Sequence, residues 1–186
     1  VVHCQSQREA EQLLLALKQR FQECQLELHP EKTQIVCCVM ARQRDSGLAK
    51  QFDFLGYCFR PRLARSRKGP LFVAFSPAIS PSAATRIRQR VRAWRLNRRT
   101  GLSLEDIARL VNPIVRGWIN YYGAYNRSAL YPLLRHIDRH LLQWVKRKFR
   151  KKGRYFKRAK AWLGKVAKYR RALFVHWQFG AAFPAE

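Results

Sequence analysis

Acidic residues are nearly missing from the last two thirds of this chain. Residues 60–186 hold four of them (Glu105, Asp106, Asp138, Glu186) against 31 Lys and Arg, whereas residues 1–59 hold seven of each sign, so the later segment carries the whole formal net charge of +27. An ordinary soluble surface mixes both signs, and this one does not. Charge so dense, interleaved with Trp and Tyr, calls for a polyanionic partner, namely a nucleic-acid backbone. Long apolar runs are missing as well: none approaches the roughly 20 residues that a spanning helix needs, and the N-terminal residues lack the layout of a signal peptide. The expectation is a soluble, cytoplasmic protein with no membrane partner.

Two kinds of chemistry are excluded by spacing. The five cysteines (Cys4, Cys24, Cys37, Cys38, Cys58) show no CxxC pattern and the five histidines are scattered, so no zinc site or disulfide framework is expected. The cysteines lie mostly in apolar runs and are expected as reduced, buried small hydrophobes. Clustered carboxylates are missing too. A two-metal phosphoryl-transfer centre needs acids that hold two cations roughly 4 Å apart. The acids of residues 1–59 are spread over a helix surface and turns, with Asp53 alone on a strand. No metal site, catalytic residue or cofactor of this chain's own is therefore expected, and no internal repeat is present.

What remains is a chain of 186 residues with 47% hydrophobic content, enough to build a core. Val1 to Cys4 reads as a short strand. Ser6 with Glu9 three residues on has the spacing of a capping box, and Ala10, Leu13, Leu14, Leu17, Phe21 and Cys24 follow at helical spacing. Leu26 to Leu28 reads as a strand, His29 to Lys32 as a turn, Thr33 to Met40 as a buried strand and residues 41–51 as a loop. Phe52 to Phe59 and Leu71 to Phe75 read as a strand pair joined by a basic loop with Arg60, Arg62, Arg65, Arg67 and Lys68.

Beyond Pro77 the pattern becomes helical. Ser80 and Pro81 supply a cap and a first-turn proline before an apolar stripe of Ile87, Val91 and Trp94. Arg88, Arg92, Arg95 and Arg99 share that spacing one residue along, a row that flanks the buried stripe and can face phosphates. A second helix starts at Ser103, with Asp106 as its capping partner and Leu102 as a staple on Ile107, and has a face of Ile107, Leu110, Val111, Ile114 and Trp118; Pro113 implies a kink or break near Asn112. A third buries Leu130, Leu133, Leu134, Ile137, Leu141, Leu142 and Val145. A fourth runs from Tyr155 to about Tyr169, before an apolar tail at Phe174 to Phe179.

Two constellations carry the binding chemistry. In residues 146–160 ten of fifteen positions are Lys or Arg and none is acidic, which suits phosphate neutralisation without reading sequence. Candidate contacts there are Lys146, Arg147, Lys148, Arg150, Lys151, Lys152, Arg154, Lys157 and Arg158. The other is Arg116, Asn120, Tyr121, Tyr122 and Tyr125 around Trp118. Trp118 belongs to the core stripe, while at least one of the three tyrosines is left to stack on a base or bond a phosphate.

Asn112-Pro113-Ile114-Val115-Arg116-Gly117-Trp118-Ile119-Asn120-Tyr121-Tyr122 resembles the signature of the maturase-specific (thumb, or X) domain of group II intron reverse transcriptases. Leu28-His29-Pro30-Glu31-Lys32-Thr33 resembles the palm segment of that family, Phe52-Asp53-Phe54-Leu55-Gly56-Tyr57 its primer-grip hairpin, and Phe174-Val175-His176-Trp177 the closing motif of bacterial members. The resemblance implies an α+β chain: a palm-derived remnant at 1–77, an all-α thumb at 78–180 and a tail at 181–186. It implies Lys32 as an auxiliary palm lysine and Phe54, Leu55 and Gly56 as a primer-grip turn. It further implies group II intron RNA as partner and, in the intact protein, a DNA target or primer strand and Mg²⁺. The family's Tyr-Ala-Asp-Asp is not in these residues, so Val1 is expected to follow it directly and the chain to be inactive as a polymerase alone. Rival readings are a stand-alone splicing factor that binds RNA without polymerase activity and a ribosomal-type structural RNA-binding protein.

Overall fold

The computed structural model of the protein describes residues 1–38, 48–66, 69–149 and 156–181. The class is α+β, with a small three-stranded antiparallel sheet and a helical C-terminal region. The chain divides into two units, one of Val1–Phe54 and Cys58–Ser76, the other of Leu55–Tyr57 and Pro77–Glu186.

In the first unit, helix α1 spans Gln7–Glu23. Ser6 Oγ accepts from the Glu9 N–H at 3.2 Å, while the Glu9 carboxylate accepts from the Gln5 N–H at 2.7 Å, one residue before the place a full capping box would use. The helix ends on Gln25 in a left-handed conformation (φ 59°), with the Leu26 N–H returning to the Phe21 carbonyl at 2.8 Å. None of its residues is buried: Ala10, Leu13, Leu14 and Phe21 are half-covered, and Leu15 is exposed.

Among the described residues the strands expected before residue 50 do not form. Residues 1–4 and 26–28 are irregular, and residues 33–38 make only an isolated parallel bridge, Val36 to Ala49, with Cys37 N–H donating to Ala49 O at 2.9 Å. Apolar residues make a strand only where a neighbour accepts their row of backbone groups, and here the bridge at Ala49 is all that the described residues provide. Val39, Met40 and residues 41–47 of the expected loop lie outside the described residues. The turn at 29–32 does form, its Lys32 and Thr33 N–H groups donating to His29 O at 3.2 and 3.0 Å.

The sheet has strands β1 (Phe52–Phe54), β2 (Tyr57–Arg65) and β3 (Leu71–Ile79) in the order β1-β2-β3. The single strand expected over Phe52 to Phe59 folds back on itself. Leu55 and Gly56 both take positive φ (49° and 78°), the two-residue turn whose twist suits a tight hairpin. Arg60, Arg62 and Arg65, expected in a loop after it, stand on β2 instead, while Arg67 and Lys68 lie outside the described residues. Arg62 donates from Nε to Ser76 O and from Nη2 to Cys58 O, each at 3.2 Å, so its guanidinium is spent on the sheet's own carbonyls. Phe52 stacks on Phe59 at 4.8 Å between centroids and on Phe75 at 6.1 Å. Of the cysteines only Cys58 is buried. Cys24 and Cys38 are exposed, the first at the end of the uncovered helix α1 and the second in a run that does not pack as a strand.

The second unit holds the core. Helix α2 (Pro81–Ala93) starts at Ser80, whose Oγ accepts from the Ala83 N–H at 3.2 Å, and buries Ala83, Ala84, Ile87 and Val91. A 3₁₀ turn at Leu96–Arg98 leads to α3 (Leu104–Tyr122), which begins with a complete capping box between Ser103 and Asp106. Helix α3 passes unbroken through Pro113, against the expected break, and its Asn112 is bonded elsewhere: Nδ2 donates to Leu173 O at 2.9 Å and Oδ1 accepts from Val175 N–H at 3.1 Å. The buried face is Leu104, Ile107, Ala108, Val111 and Val115. It is rotated from the expected one, leaving Leu110 exposed.

Helix α4 (Arg127–Lys148) is the central element and buries all seven residues expected of it, together with Asp138 and Trp144. Helix α5 (Phe156–Tyr169) buries Ala159, Leu163 and Ala167. The closing segment is not a tail but core: Phe174, His176 and Trp177 are wholly buried, the last opening a π-helical turn at Trp177–Ala181. Asp138 accounts for this. Its Oδ1 accepts from Trp177 Nε1 at 2.9 Å and lies 2.9 Å from His176 Nε2, so the one acid on α4 ties the chain end into the helices.

Candidate nucleic-acid interface

The expected row of four arginines is broken. Arg88 and Arg92 are exposed on α2, but the helix stops at Ala93. The cause is Leu96. Nine residues after Ile87, a continued helix would carry it about 180° from the buried stripe, yet Leu96 is fully buried. The chain therefore turns through Arg95 in a left-handed conformation (φ 47°), and Arg99 Nε donates back to Trp94 O at 3.0 Å. Arg95 is exposed at the turn and Arg99 closes it.

That turn is fixed to the end of α4. Trp144 Nε1 donates to Arg99 O at 3.0 Å, and Lys148 Nζ donates to Leu102 O while lying 5.1 Å above the Trp144 ring. Between turn and helix opens a cleft of about 690 Å³ lined by Asn97, Arg98, Thr100, Lys146 and Arg147. Three cations, an amide and a hydroxyl line it. This is the donor-rich, anion-seeking chemistry that phosphate oxygens require. Of its residues, Lys146 and Arg147 were expected from sequence. Asn97, Arg98 and Thr100 were not, because the signal that places them is the buried Leu96 rather than any charge pattern. Lys148, by contrast, is turned inward on Leu102.

Arg116 and Asn120 are exposed on α3. The three tyrosines gather around Tyr57, with ring centroids 5.3 Å (Tyr121), 5.5 Å (Tyr122) and 5.4 Å (Tyr125) away. Tyr57 Oη donates to Tyr121 O, and Tyr121 Oη donates to Leu55 O at 2.8 Å. Burial first, and then the neighbouring phenols, push the Tyr57 hydroxyl above its ordinary range, so it stays a neutral donor. Gly56 is required here: a Cβ would stand 2.8 Å from Tyr122 Oη, and its φ is positive. Tyr125 is the most open of the three, 67% exposed, and Trp118 stacks on Trp94 at 5.8 Å as part of the core.

Of the remaining candidates, Lys157 and Arg158 are exposed on α5, and Lys32 is exposed in the turn after His29. Phe54 and Leu55 are exposed at the β1–β2 turn. Arg150, Lys151, Lys152 and Arg154 lie outside the described residues. Among the described residues no three His, Cys, Asp or Glu side chains converge. No helix among them is long and apolar enough to cross a membrane.

The second unit is a helical domain with an acid-poor, cationic surface. Residues 84–162 match the family model for the group II intron, maturase-specific domain. Within those residues the chain thus carries a group II intron, maturase-specific domain, which implies a role in group II intron splicing. Neither the curated proteins nor the solved structures yielded a match.

Proposed function

We infer that the second unit binds group II intron RNA, through phosphates and shape rather than base edges, and supports splicing by holding the folded intron. The cleft of Arg98, Lys146 and Arg147 carries this reading. It lies within the stretch that matches the maturase domain, and the turn that forms one side of it is held by the Trp144 and Arg99 side chains, which donate to the carbonyls of Arg99 and Trp94. An A-form duplex hides its base edges from side chains, so a rigid cationic cleft recognises backbone spacing.

The resemblance to reverse transcriptases supports a wider context. In an intact polymerase the Leu55-Gly56 turn would lie along a primer strand and Lys32 near the incoming nucleotide, while catalytic carboxylates and Mg²⁺ would come from residues other than these. The sharp hairpin at Leu55 and Gly56, with Gly56 closely covered by Tyr122, is the feature that favours it.

The test is binding of the full chain to a structured intron RNA over a salt series. Replacing Arg98, Lys146 and Arg147 together with Gln should weaken binding and flatten the slope of log affinity against log salt by roughly two, since each neutralised phosphate accounts for about 0.7–0.9 of that slope. Unchanged affinity and slope would remove the cleft from the interface.

A further inference from the structure

One titratable pair on α4 has no part in the core or in the cleft. His136 and His140 stand one turn apart, half-buried, with their Nε2 atoms 3.3 Å from each other and ring centroids 4.8 Å apart. Helix α2 packs on α4 at this level, and the charges that act on the two rings are Arg88 and Arg92 from α2 and Arg139 from α4 itself. No carboxylate, and no ionisable group of α3, α5 or the 3₁₀ and π-helical turns, acts on either ring among the described residues. The three arginines have no counter-ion among the groups that act on the rings, and they repel one another. The protein alone gains one hydrogen bond between the two neutral imidazoles, whereas a phosphodiester would be bonded by rings and guanidinium groups together.

The position fits a strand of nucleic acid. Arg147 follows His136 by eleven residues, three turns of helix, and so lies on the same side of α4, about 16 Å further along the axis. The histidine pair and the cleft at Arg147 therefore form one track. A metal ion between the two nitrogens is disfavoured by the same three arginines.

We propose that His136 and His140, with Arg88, Arg92 and Arg139, form a second phosphate-binding site for RNA whose occupancy is coupled to proton uptake. The site rests on the RNA-binding reading above and adds a pH dependence to it. Burial first, then the neighbouring cations, hold both imidazoles below their ordinary range, so the free protein keeps them neutral near pH 7. A phosphate oxygen beside the two Nε2 atoms favours the imidazolium, and the pair then takes one proton from solvent and donates a charged hydrogen bond to that oxygen. The bound state holds more protons than the free state, so affinity rises as pH falls.

The experiment uses the full chain and a fluorescent RNA hairpin at constant ionic strength, at pH 7.5 and pH 5.5, with circular dichroism at both. Wild type should bind about tenfold more tightly at pH 5.5, a tenth of the limit for one proton taken up across two pH units. In H136Q/H140Q that ratio should fall to about twofold, whatever the affinity at pH 7.5. H136R/H140R, which carries the charge permanently, should also be flat, and it decides the matter if the Gln variant does not fold. An equal pH ratio in wild type and in the folded variants would overturn the site while leaving RNA binding intact. No binding by wild type at either pH would overturn the RNA reading and this site with it.

Discussion

Helices α1 and α4 are both amphipathic and both start on a side-chain cap, Ser6 and Asn126, yet α1 buries no residue and α4 buries nine. Local signals decide that a helix forms and where it starts. What its apolar face contributes is decided by whether other elements cover it. The core cluster of buried residues lies entirely in the second unit, drawn from α2 to α5 and the closing segment, while Leu15, Leu26, Leu63 and Leu71 of the first unit stay exposed. The cationic surface follows the same division. The net charge of the first 59 residues is zero, and the cleft and the histidine pair are both built on the well-packed α4. A rigid element holds cations at fixed spacing against their mutual repulsion, which is what a phosphate backbone needs from its receptor.

The largest expected contrast is in stability. Trp144 is 1% exposed and donates to Arg99 O, so Trp144→Ala should lower the unfolding free energy by about 3–5 kcal/mol. Leu14→Ala, on the half-covered face of α1, should cost about 1 kcal/mol or less. Urea titrations of both variants against wild type measure the two, and comparable losses would mean that α1 is as firmly packed as α4.

A smaller contrast lies in the caps. Ser103→Ala removes the Oγ half of a complete capping box, with the Oγ bond to the Asp106 carboxylate, and leaves the Ser103 N–H to Asp106 bond in place; it should cost about 1–2 kcal/mol. Ser6→Ala, on the uncovered helix, should cost nearer 0.5 kcal/mol. The hydrogen bonds from Ser103, then those from Arg109, hold the Asp106 carboxyl below its ordinary range. The folded state therefore binds that proton less readily than the unfolded one. Its contribution is present above the ordinary carboxylate pKa of about 3.9 and is lost as pH falls below it. Thermal melts of wild type and Ser103→Ala between pH 3 and 6 should converge at the acid end.

Much of the helical half was legible in sequence because its information is local. Ser80 and Ser103 begin their helices as their spacing says, and the apolar stripe of α4 is buried residue for residue. The misreadings share a cause, a partner far along the chain. Val1 to Cys4 and Thr33 to Met40 look like strands, but among the described residues they have too little to pair with. Phe174 to Phe179 looks like a tail until Asp138, 38 residues from His176, is seen to receive it. An acid at core spacing, alone among the basic residues of α4, was the available clue. At the interface, charge pattern located Lys146 and Arg147 but could not locate Arg98, whose place depends on Leu96 ending α2 to reach the core. Nor could it join Arg88 and Arg92 to His136 and His140, which lie some fifty residues away and meet through helix packing.

The two units can be compared in one measurement on the full chain: acylation of lysines with and without intron RNA, read by mass spectrometry. RNA should shield Lys146 and Lys157, on or beside the cleft-bearing helices, at least several-fold more than Lys18 and Lys32 of the first unit, since phosphate contact withdraws an amine from reagent and solvent. Shielding of Lys18 and Lys32 with Lys146 and Lys157 left reactive would contradict the assignment of RNA binding to the second unit.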